Sequence, residues 1–160
     1  MISKQKLYAM KYLKKEYDEL QKNPLMMNIG CTVGLINNDI FHWKIFLTGP
    51  NDSPYAGGLF TLTVDFNEDY PYSRPEIRFV NKIYHLNISP SNGHVSISTL
   101  NAWKEKTPIS EIICDIFVLF YDQNPYSPYN MKMAREYILD RNEFNRKAKE
   151  WTQKYATIKI

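Results

Sequence analysis

Apolar residues recur with helical spacing at the start of the chain. The spacing is three to four positions, and lysines and glutamates fill the positions between them. This pattern predicts an amphipathic helix over residues 4–21. Its apolar stripe consists of Met10, Leu13, Tyr17 and Leu20. We expect Asn23-Pro24 to end the helix.

The next part of the chain alternates between apolar and polar residues. The pattern predicts four strands, over residues 29–36, 40–48, 59–66 and 76–80. Asn37-Asn38-Asp39 is a hairpin signal between the first two. Because the joins are short and rich in turn residues, we expect an antiparallel meander with one face exposed to solvent.

The remainder of the chain predicts one long irregular segment and then helices. Residues 81–107 show neither helical nor strand periodicity, and irregular segments of this length in a compact domain usually have a functional role. A buried helix is predicted over residues 109–121, with Thr107-Pro108 as N-cap and first position. A last helix begins at the Asp140 cap and carries Phe144, Ala148, Trp151 and Tyr155 at helical spacing. We therefore predict a single α+β domain over residues 1–160.

Composition narrows the function classes. The chain has 44% hydrophobic and 23% charged residues and a net charge of +3, which excludes wholesale disorder and gives no argument for a nucleic-acid or membrane partner. The only cysteines, Cys31 and Cys114, lie far apart without metal-ligand spacing. We expect no disulfide, no metal site, no cofactor and no signal peptide, and therefore a location in the cytoplasm, with the nucleus as a further compartment.

Several motifs occur in an order that is specific to one family. They are Ile40-Phe41-His42-Trp43, Gly49-Pro50-Asn51-Asp52-Ser53-Pro54-Tyr55, Asp69-Tyr70-Pro71-Tyr72, Lys82-Ile83-Tyr84-His85 and Glu150-Trp151-Thr152-Gln153-Lys154-Tyr155-Ala156. Together they resemble the ubiquitin-conjugating enzymes, most closely the small single-domain group, over about residues 10–156. The resemblance implies the fold of that family: an N-terminal helix, a four-stranded antiparallel sheet, an irregular active-site segment and three helices.

The resemblance also implies where the reaction would occur, and the chain departs from the family there. Members carry a catalytic cysteine about eight residues after a His-Pro-Asn motif, and it receives ubiquitin as a thioester. Here the motif is His85-Leu86-Asn87, and the cysteine position holds Ser96. A serine needs an adjacent base. His94 is close in sequence and could serve, but we expect it to be an ordinary exposed loop histidine.

The neighbouring positions depart from the family as well. The resemblance gives Asn87 a role in supporting the loop and the oxyanion of the transfer step. Two family aspartates near the acceptor lysine are replaced here, by Ser98 and Ser127. A lysine amine needs a carboxylate or desolvation to become reactive, so both substitutions predict impaired transfer.

Two further surfaces follow from the resemblance. Tyr72, Trp103 and Lys104 fall in the two loops that meet ligases, and the charged residues after Trp103 predict weakened ligase binding. Trp103 is equally well explained by core packing. The activating enzyme would meet the first helix at Lys11, Lys14 and Lys15, although a lysine-rich helix face is ordinarily a solvated one.

Three hypotheses therefore stand. The first is a catalytically impaired homologue that binds ubiquitin, a ligase or an active paralogue. The second is a genuine transferase that carries an engineered Cys→Ser change at position 96. The third is an adaptor that holds a peptide in the vacant active-site groove.

Overall fold

The first helix, α1, runs over Lys4–Lys22 in the computed structural model, which describes residues 1–157. Ser3 caps it by accepting a 3.1 Å hydrogen bond from the Lys6 N–H. The helix ends at Asn23 as predicted. The sequence pattern did not reveal that Asn23 then caps a second short helix, α2, over Pro24–Asn28.

Four antiparallel strands follow in the order β1-β2-β3-β4. They are β1 (Cys31–Ile36), β2 (Asp39–Thr48), β3 (Leu59–Asp65) and β4 (Glu76–Phe79). Asn37 and Asn38 both have positive φ, at 53° and 57°, as a primed hairpin turn requires, so that prediction is confirmed. The first strand starts at Cys31 rather than at residue 29, because Ile29 caps α2 and Gly30 turns the chain with a φ of 69°.

The inner face of the sheet packs against α1 and forms the core. Phe60, Leu62 and Val64 are completely buried, while their neighbours in β3 are half-exposed, which confirms the predicted alternation. The ring of Tyr17 on α1 lies edge-on against Trp43 of β2, with 5.3 Å between centroids.

The irregular segment after β4 is held by local contacts. Two isolated bridges, between Arg78 and His94 and between Ile88 and Val95, tie it to the sheet edge and to itself. A single helical turn, α3, spans Ser98–Asn101 within it.

The next helix, α4, spans Ile109–Leu119, and the predicted cap is wrong. Pro108 occupies the cap position, because the Thr107 hydroxyl instead donates a 2.6 Å hydrogen bond back to the Lys104 carbonyl. The helix is buried on one side only, and Val118 is 54% exposed.

Two helices close the described chain, α5 (Met131–Leu139) and α6 (Arg141–Tyr155). Asp140 caps α6 as predicted, accepting a 3.2 Å bond from the Glu143 N–H. Only the family resemblance, not periodicity, indicated α5. Within residues 1–157 no helix is long and apolar enough to cross a bilayer, and no group of three or more ligand side chains is arranged to hold a metal ion.

Candidate functional site

His85 is buried at the start of the candidate site, where both of its ring nitrogens are hydrogen-bonded to backbone groups. Its Nε2 lies 2.8 Å from the Leu119 carbonyl, and its Nδ1 accepts a 3.0 Å hydrogen bond from the Asn87 N–H. Nε2 therefore carries the proton, and Nδ1 is the acceptor. Burial lowers the pKa of His85 to about 4, so the ring is neutral near pH 7. It orients the backbone and does not face solvent.

Leu86, which stands at the family's proline position, brings an extra backbone N–H into the core. That N–H donates a 2.8 Å hydrogen bond to Gln123 Oε1. The Gln123 amide nitrogen donates in turn to the Tyr55 hydroxyl at 2.7 Å, and that hydroxyl donates to the Tyr84 carbonyl at 2.6 Å. A buried polar network therefore lies directly beneath the loop, with its donors satisfied.

Asn87 connects this loop to the segment between α4 and α5. It is fully buried, and its Nδ2 donates to the carbonyls of Asn124, at 2.9 Å, and Ser127, at 3.2 Å. Its Oδ1 accepts a 2.8 Å bond from the Asn124 N–H. Because the whole amide is engaged, Asn87 supports the loop in this conformation.

Ser96 lies half-exposed beside Asn87. Its N–H donates a 2.8 Å bond to the Asn87 carbonyl, and its hydroxyl oxygen accepts a 3.0 Å bond from the Asn101 side-chain amide. Across residues 1–157, no histidine or carboxylate is hydrogen-bonded to this hydroxyl. An amide donor cannot remove a proton from an alcohol, so none of these described residues supplies the hydroxyl with a base.

His94 is half-buried rather than exposed, which corrects the expectation for this residue. Its backbone N–H donates a 3.1 Å hydrogen bond to Asn92 Oδ1, and its carbonyl accepts a 2.8 Å bond from the Ser89 N–H. Within the described residues its ring makes no hydrogen bond to Ser96. The serine–histidine pair of a hydrolase is absent from this part of the chain.

Ser98 and Ser127, the serines at the two aspartate positions near the acceptor lysine, differ in their contacts. Ser127 is exposed, and its carbonyl is tied to Asn87, whereas Ser98 is exposed at the start of α3 without such a link among residues 1–157. Residues 77–104 and 123–135 contain no Asp or Glu at all. The loops around Ser96 therefore supply no carboxylate of their own.

The native thiols offer no replacement nucleophile. Cys31 is buried, and burial raises its pKa to about 11. Cys114 is half-buried, and burial, followed by the charges of Asp115 and Glu111, raises its pKa as well. Both thiols are therefore protonated near neutral pH.

The predicted ligase-contact residues come together. Trp103 donates its indole N–H to the Tyr72 carbonyl at 3.0 Å, and Tyr72 stacks on Tyr8 of α1 with centroids 6.4 Å apart. Tyr72 is 50% exposed, Trp103 is half-buried and Lys104 is exposed. The two loops and the start of α1 thus form one continuous surface.

The three lysines predicted to meet the activating enzyme are all exposed on α1. Lys14 lies 3.9 Å from Asp18, a weak surface pair. Lys11 and Lys14 also border a shallow groove lined by Leu7, Met10, Leu35 and Ile40.

Sequence reasoning missed Gln123 and Asn101, the residues that hold Leu86 and Ser96. The sequence did contain an indirect indication that Leu86 needs a partner such as Gln123. A leucine in place of a proline introduces a donor that needs an acceptor once it is buried. Nothing in the local pattern indicated Asn101.

Comparisons with known proteins agree with this architecture. A family model described as ubiquitin-conjugating enzyme matches residues 12–152. The E2 domain of a Toxoplasma gondii ubiquitin-conjugating enzyme is 32% identical, with a TM-score of 0.80, over 91% of this chain and 97% of that one. A Plasmodium yoelii chain assigned as a ubiquitin-conjugating enzyme is 30% identical, with a TM-score of 0.84, over 99% of each chain.

Proposed function

Because the chain belongs to the ubiquitin-conjugating enzyme family, we propose that it serves the ubiquitin pathway by binding partners rather than by transferring ubiquitin. The observation that carries the proposal is Ser96, which stands at the nucleophile position and whose hydroxyl, among residues 1–157, is hydrogen-bonded to an amide donor alone.

The chemistry of the two nucleophiles supports this proposal. A cysteine with a pKa near 8.5 is a few per cent thiolate at pH 7 and strongly nucleophilic. A serine hydroxyl stays protonated unless a positioned base removes its proton. An oxygen ester at Ser96 would also donate ubiquitin to an amine far more slowly than a thioester does. Loading and discharge are therefore both impaired.

The surroundings of Ser96 favour a natural departure over an engineered Cys→Ser change. A trapping mutation alters one side chain and leaves its neighbours as they were. Here Leu86 brings a donor that the family's proline lacks, and Gln123 accepts from it at 2.8 Å. Ser98 and Ser127 also replace carboxylates. Reading codon 96 of the native coding sequence decides between the two hypotheses.

The surviving surfaces support binding. Tyr72 is 50% exposed at the predicted ligase position, where its carbonyl accepts the Trp103 indole N–H. Lys11, Lys14 and Lys15 remain exposed at the predicted activating-enzyme position. We infer ubiquitin, a ligase or an active paralogue as the partner. In that role the chain competes with active enzymes or assists them.

The test is a titration of the isotopically labelled chain, followed by NMR, with ubiquitin, with a ligase domain and with an active conjugating enzyme in turn. Shifts at Tyr72 and Trp103 on adding the ligase domain are expected. Tyr72→Ala should weaken that binding. Tyr126→Ala, at a tyrosine that is 92% exposed and lies on another loop, is the matched control and should not. Binding to none of the three partners would contradict the proposal.

The adaptor hypothesis predicts a different outcome in the same titration. Peptides added alone would shift residues around Ser96, Asn101 and Ser127. The exposed Tyr126 and Tyr129, at 92% and 45%, favour this second candidate because they offer aromatic surface in the loop that carries Ser127.

A further inference from the structure

The first strand, β1, is an open edge of the sheet. Among residues 1–157 it pairs with β2 alone. Just before the strand, the Gly30 carbonyl accepts a 3.2 Å bond from the Thr48 N–H of β2. Antiparallel strands bond through every second residue, so Thr32 and Gly34 also face β2. The N–H and carbonyl groups that face away from β2 are those of Cys31, Val33 and Leu35.

These outward groups are free to pair with another chain. Within residues 1–157 they make no backbone hydrogen bond to another segment. Natural proteins commonly protect such an edge with charged residues, prolines or bulges. The strand contains no charged residue and no proline, and its register shifts only at the hairpin end, between Leu35 and Ile36. Residues 31–35 therefore present a regular edge to which a further strand can be added.

An apolar groove runs beside this edge, near the C-terminal end of α1. It encloses about 350 Å³, and its walls include Leu20, Met26 and Met27 together with residues 31–33 of β1. Cys31 and Thr32 point to opposite faces of the sheet. Because the groove contacts both of them, it lies along the side of the strand. Met27 is 77% exposed, so the groove presents apolar surface to solvent.

A second apolar groove lies at the other end of β1, between α1 and the hairpin. It also encloses about 350 Å³. Its apolar walls are formed by Leu7, Met10, Tyr17, Leu35 and Ile40. Because Leu35 follows Cys31 by four strand residues, the two grooves are about 13 Å apart along the strand. One extended segment of a few residues is long enough to reach both.

The surroundings of the edge are positively charged. The strand itself carries no charge, and α1 carries six lysines against three acidic residues, a difference of +3. Lys11 and Lys14 border the second groove. An acidic segment is therefore attracted to the edge, whereas a second copy of the chain would bring the same lysines and be repelled.

We propose that the β1 edge binds an extended acidic peptide segment of a partner protein, which adds to the sheet as a further strand. The backbone of the segment bonds to Val33 and its outward-facing neighbours, and its alternate side chains enter the two grooves. In this mode of recognition the backbone bonds give affinity and the pockets for alternate side chains give specificity. The segment therefore carries apolar residues at alternate positions between acidic ends.

The groove at Leu20 lies apart from the surface predicted for ligases. Tyr8, which stacks on Tyr72, precedes Leu20 by a distance of about 18 Å along α1. The chain could then hold a ligase and the peptide-bearing partner together, and this consequence rests on the proposed function. The docking of the peptide does not involve Ser96 or any enzyme of the ubiquitin pathway. Its failure is therefore distinguishable from failure of the proposed function.

The first measurement is amide hydrogen exchange, followed by NMR, on the full chain with and without synthetic peptides. The peptides have the sequence Glu-Glu-X-Thr-X-Thr-X-Glu-Glu, in which every X is Val, Ile or Leu. Exchange at the Val33 and Leu35 amides should slow about tenfold when about nine-tenths of the chain is bound. The Thr32 and Gly34 amides, already bonded to β2, should change little.

Two results of this measurement would overturn the proposal. The first is slower exchange at all four amides or at none of them. The second is slow exchange at Val33 and Leu35 that increases with the concentration of the chain alone, because it would assign the edge to a second copy.

The second measurement repeats the titration with peptides that are N-methylated either at the X residues or at the Thr residues. The N–H groups of an extended strand alternate between its two edges, so only one of the two sets blocks pairing with β1. One set should lose the protection of Val33 and Leu35, and the other should retain it. Loss with the X set indicates an antiparallel peptide and loss with the Thr set a parallel one. Equal binding of both sets overturns strand addition.

The third measurement removes the bond from the side of the chain. Val33→Pro deletes an N–H that faces the open edge and leaves the bonds to β2 in place. We expect its affinity for the peptide to fall about tenfold. Val33→Thr keeps the N–H and is the matched control. Slow exchange at the Thr32 and Gly34 amides verifies that β1 is folded in both variants, and unchanged affinity in folded Val33→Pro overturns the proposal.

Discussion

The backbone N–H of Leu86 donates a 2.8 Å hydrogen bond to the side-chain oxygen of Gln123, 37 residues further along the chain. Leu86 is fully buried and Gln123 is 6% exposed, so water cannot replace this bond. The pair shows how the loop before Ser96 accommodates a donor where the family has a proline. The buried network beneath the loop is built around it.

Gln123→Met keeps the length of the side chain but leaves the Leu86 N–H without an acceptor. We expect a loss of about 1–3 kcal/mol in the free energy of unfolding. In a Leu86→Pro background that N–H is absent, so the same change should cost about 1 kcal/mol less. Urea denaturation of the unchanged chain, the two single variants and the double variant measures the interaction free energy between Leu86 and Gln123. Gln153→Met, on the exposed face of α6, is the control. Strict additivity would mean that the bond contributes nothing.

His85 should make the protein less stable as the pH falls below neutrality. Burial lowers its folded-state pKa to about 4, while a histidine in the unfolded chain has a pKa of about 6.5. Between these values the unfolded chain binds the extra proton, so the free energy of unfolding rises with pH across this window. The stability that the neutral His85 ring provides is fully present above about pH 6.5. The free energy of unfolding then falls by up to about 3 kcal/mol as the pH drops to about 4.

Urea denaturation at intervals from about pH 4 to 7 checks this pH dependence. The His85→Gln variant should be less stable at neutral pH and should show a flatter profile over the same range. A profile with the same slope in both proteins would assign the pH dependence to other groups.

Asn87→Ala should loosen the segment that carries Ser127. The change removes the acceptor of the Asn124 N–H and the donor to the Asn124 and Ser127 carbonyls. We expect a loss of about 2 kcal/mol or more in stability and faster hydrogen exchange at the Asn124 amide. Asn51→Ala, in an exposed turn, is the comparison. Unchanged exchange at Asn124 would show that other contacts hold the loop.

Gly93, in the turn before Ser96, should not tolerate a side chain. It has a φ of 77°, and a Cβ there would lie 2.1 Å from the Phe79 carbonyl oxygen. Gly57 is the matched control, because its φ is 82° but a Cβ would meet nothing within 4 Å. Gly57→Ala should lower the free energy of unfolding by about 1 kcal/mol, from backbone strain alone. Gly93→Ala should lower it by clearly more, because the close approach to Phe79 adds to the strain. Thermal denaturation compares the two, and equal losses would argue against the close approach.

The local patterns of the sequence predicted the parts of the fold that local physics determines. The alternation in β3 and the Asn37-Asn38 turn depend on neighbours within a few residues, and both are confirmed. The cap of α4 was wrong, because the Thr107 hydroxyl has a competing acceptor at Lys104 that no capping pattern includes.

The candidate site was less predictable. The family resemblance identified Ser96, Asn87 and Ser127 as positions. The contacts that define their environment join residues far apart in sequence, as with Asn87 and Asn124 or Leu86 and Gln123. Periodicity carries no information about such pairs, and only the folded structure brings them together.

With Ser96 in place of a thiol, the chain is proposed to bind its partners without transferring ubiquitin. The most direct measurement incubates the chain and its Ser96→Cys variant with activating enzyme, ATP and ubiquitin, followed by gels with and without reductant. We predict no adduct on the unchanged chain, while a reductant-sensitive adduct on Ser96→Cys would show that the scaffold stays competent. A base-labile, reductant-resistant adduct on the unchanged chain would mean that Ser96 accepts ubiquitin, and would contradict the account.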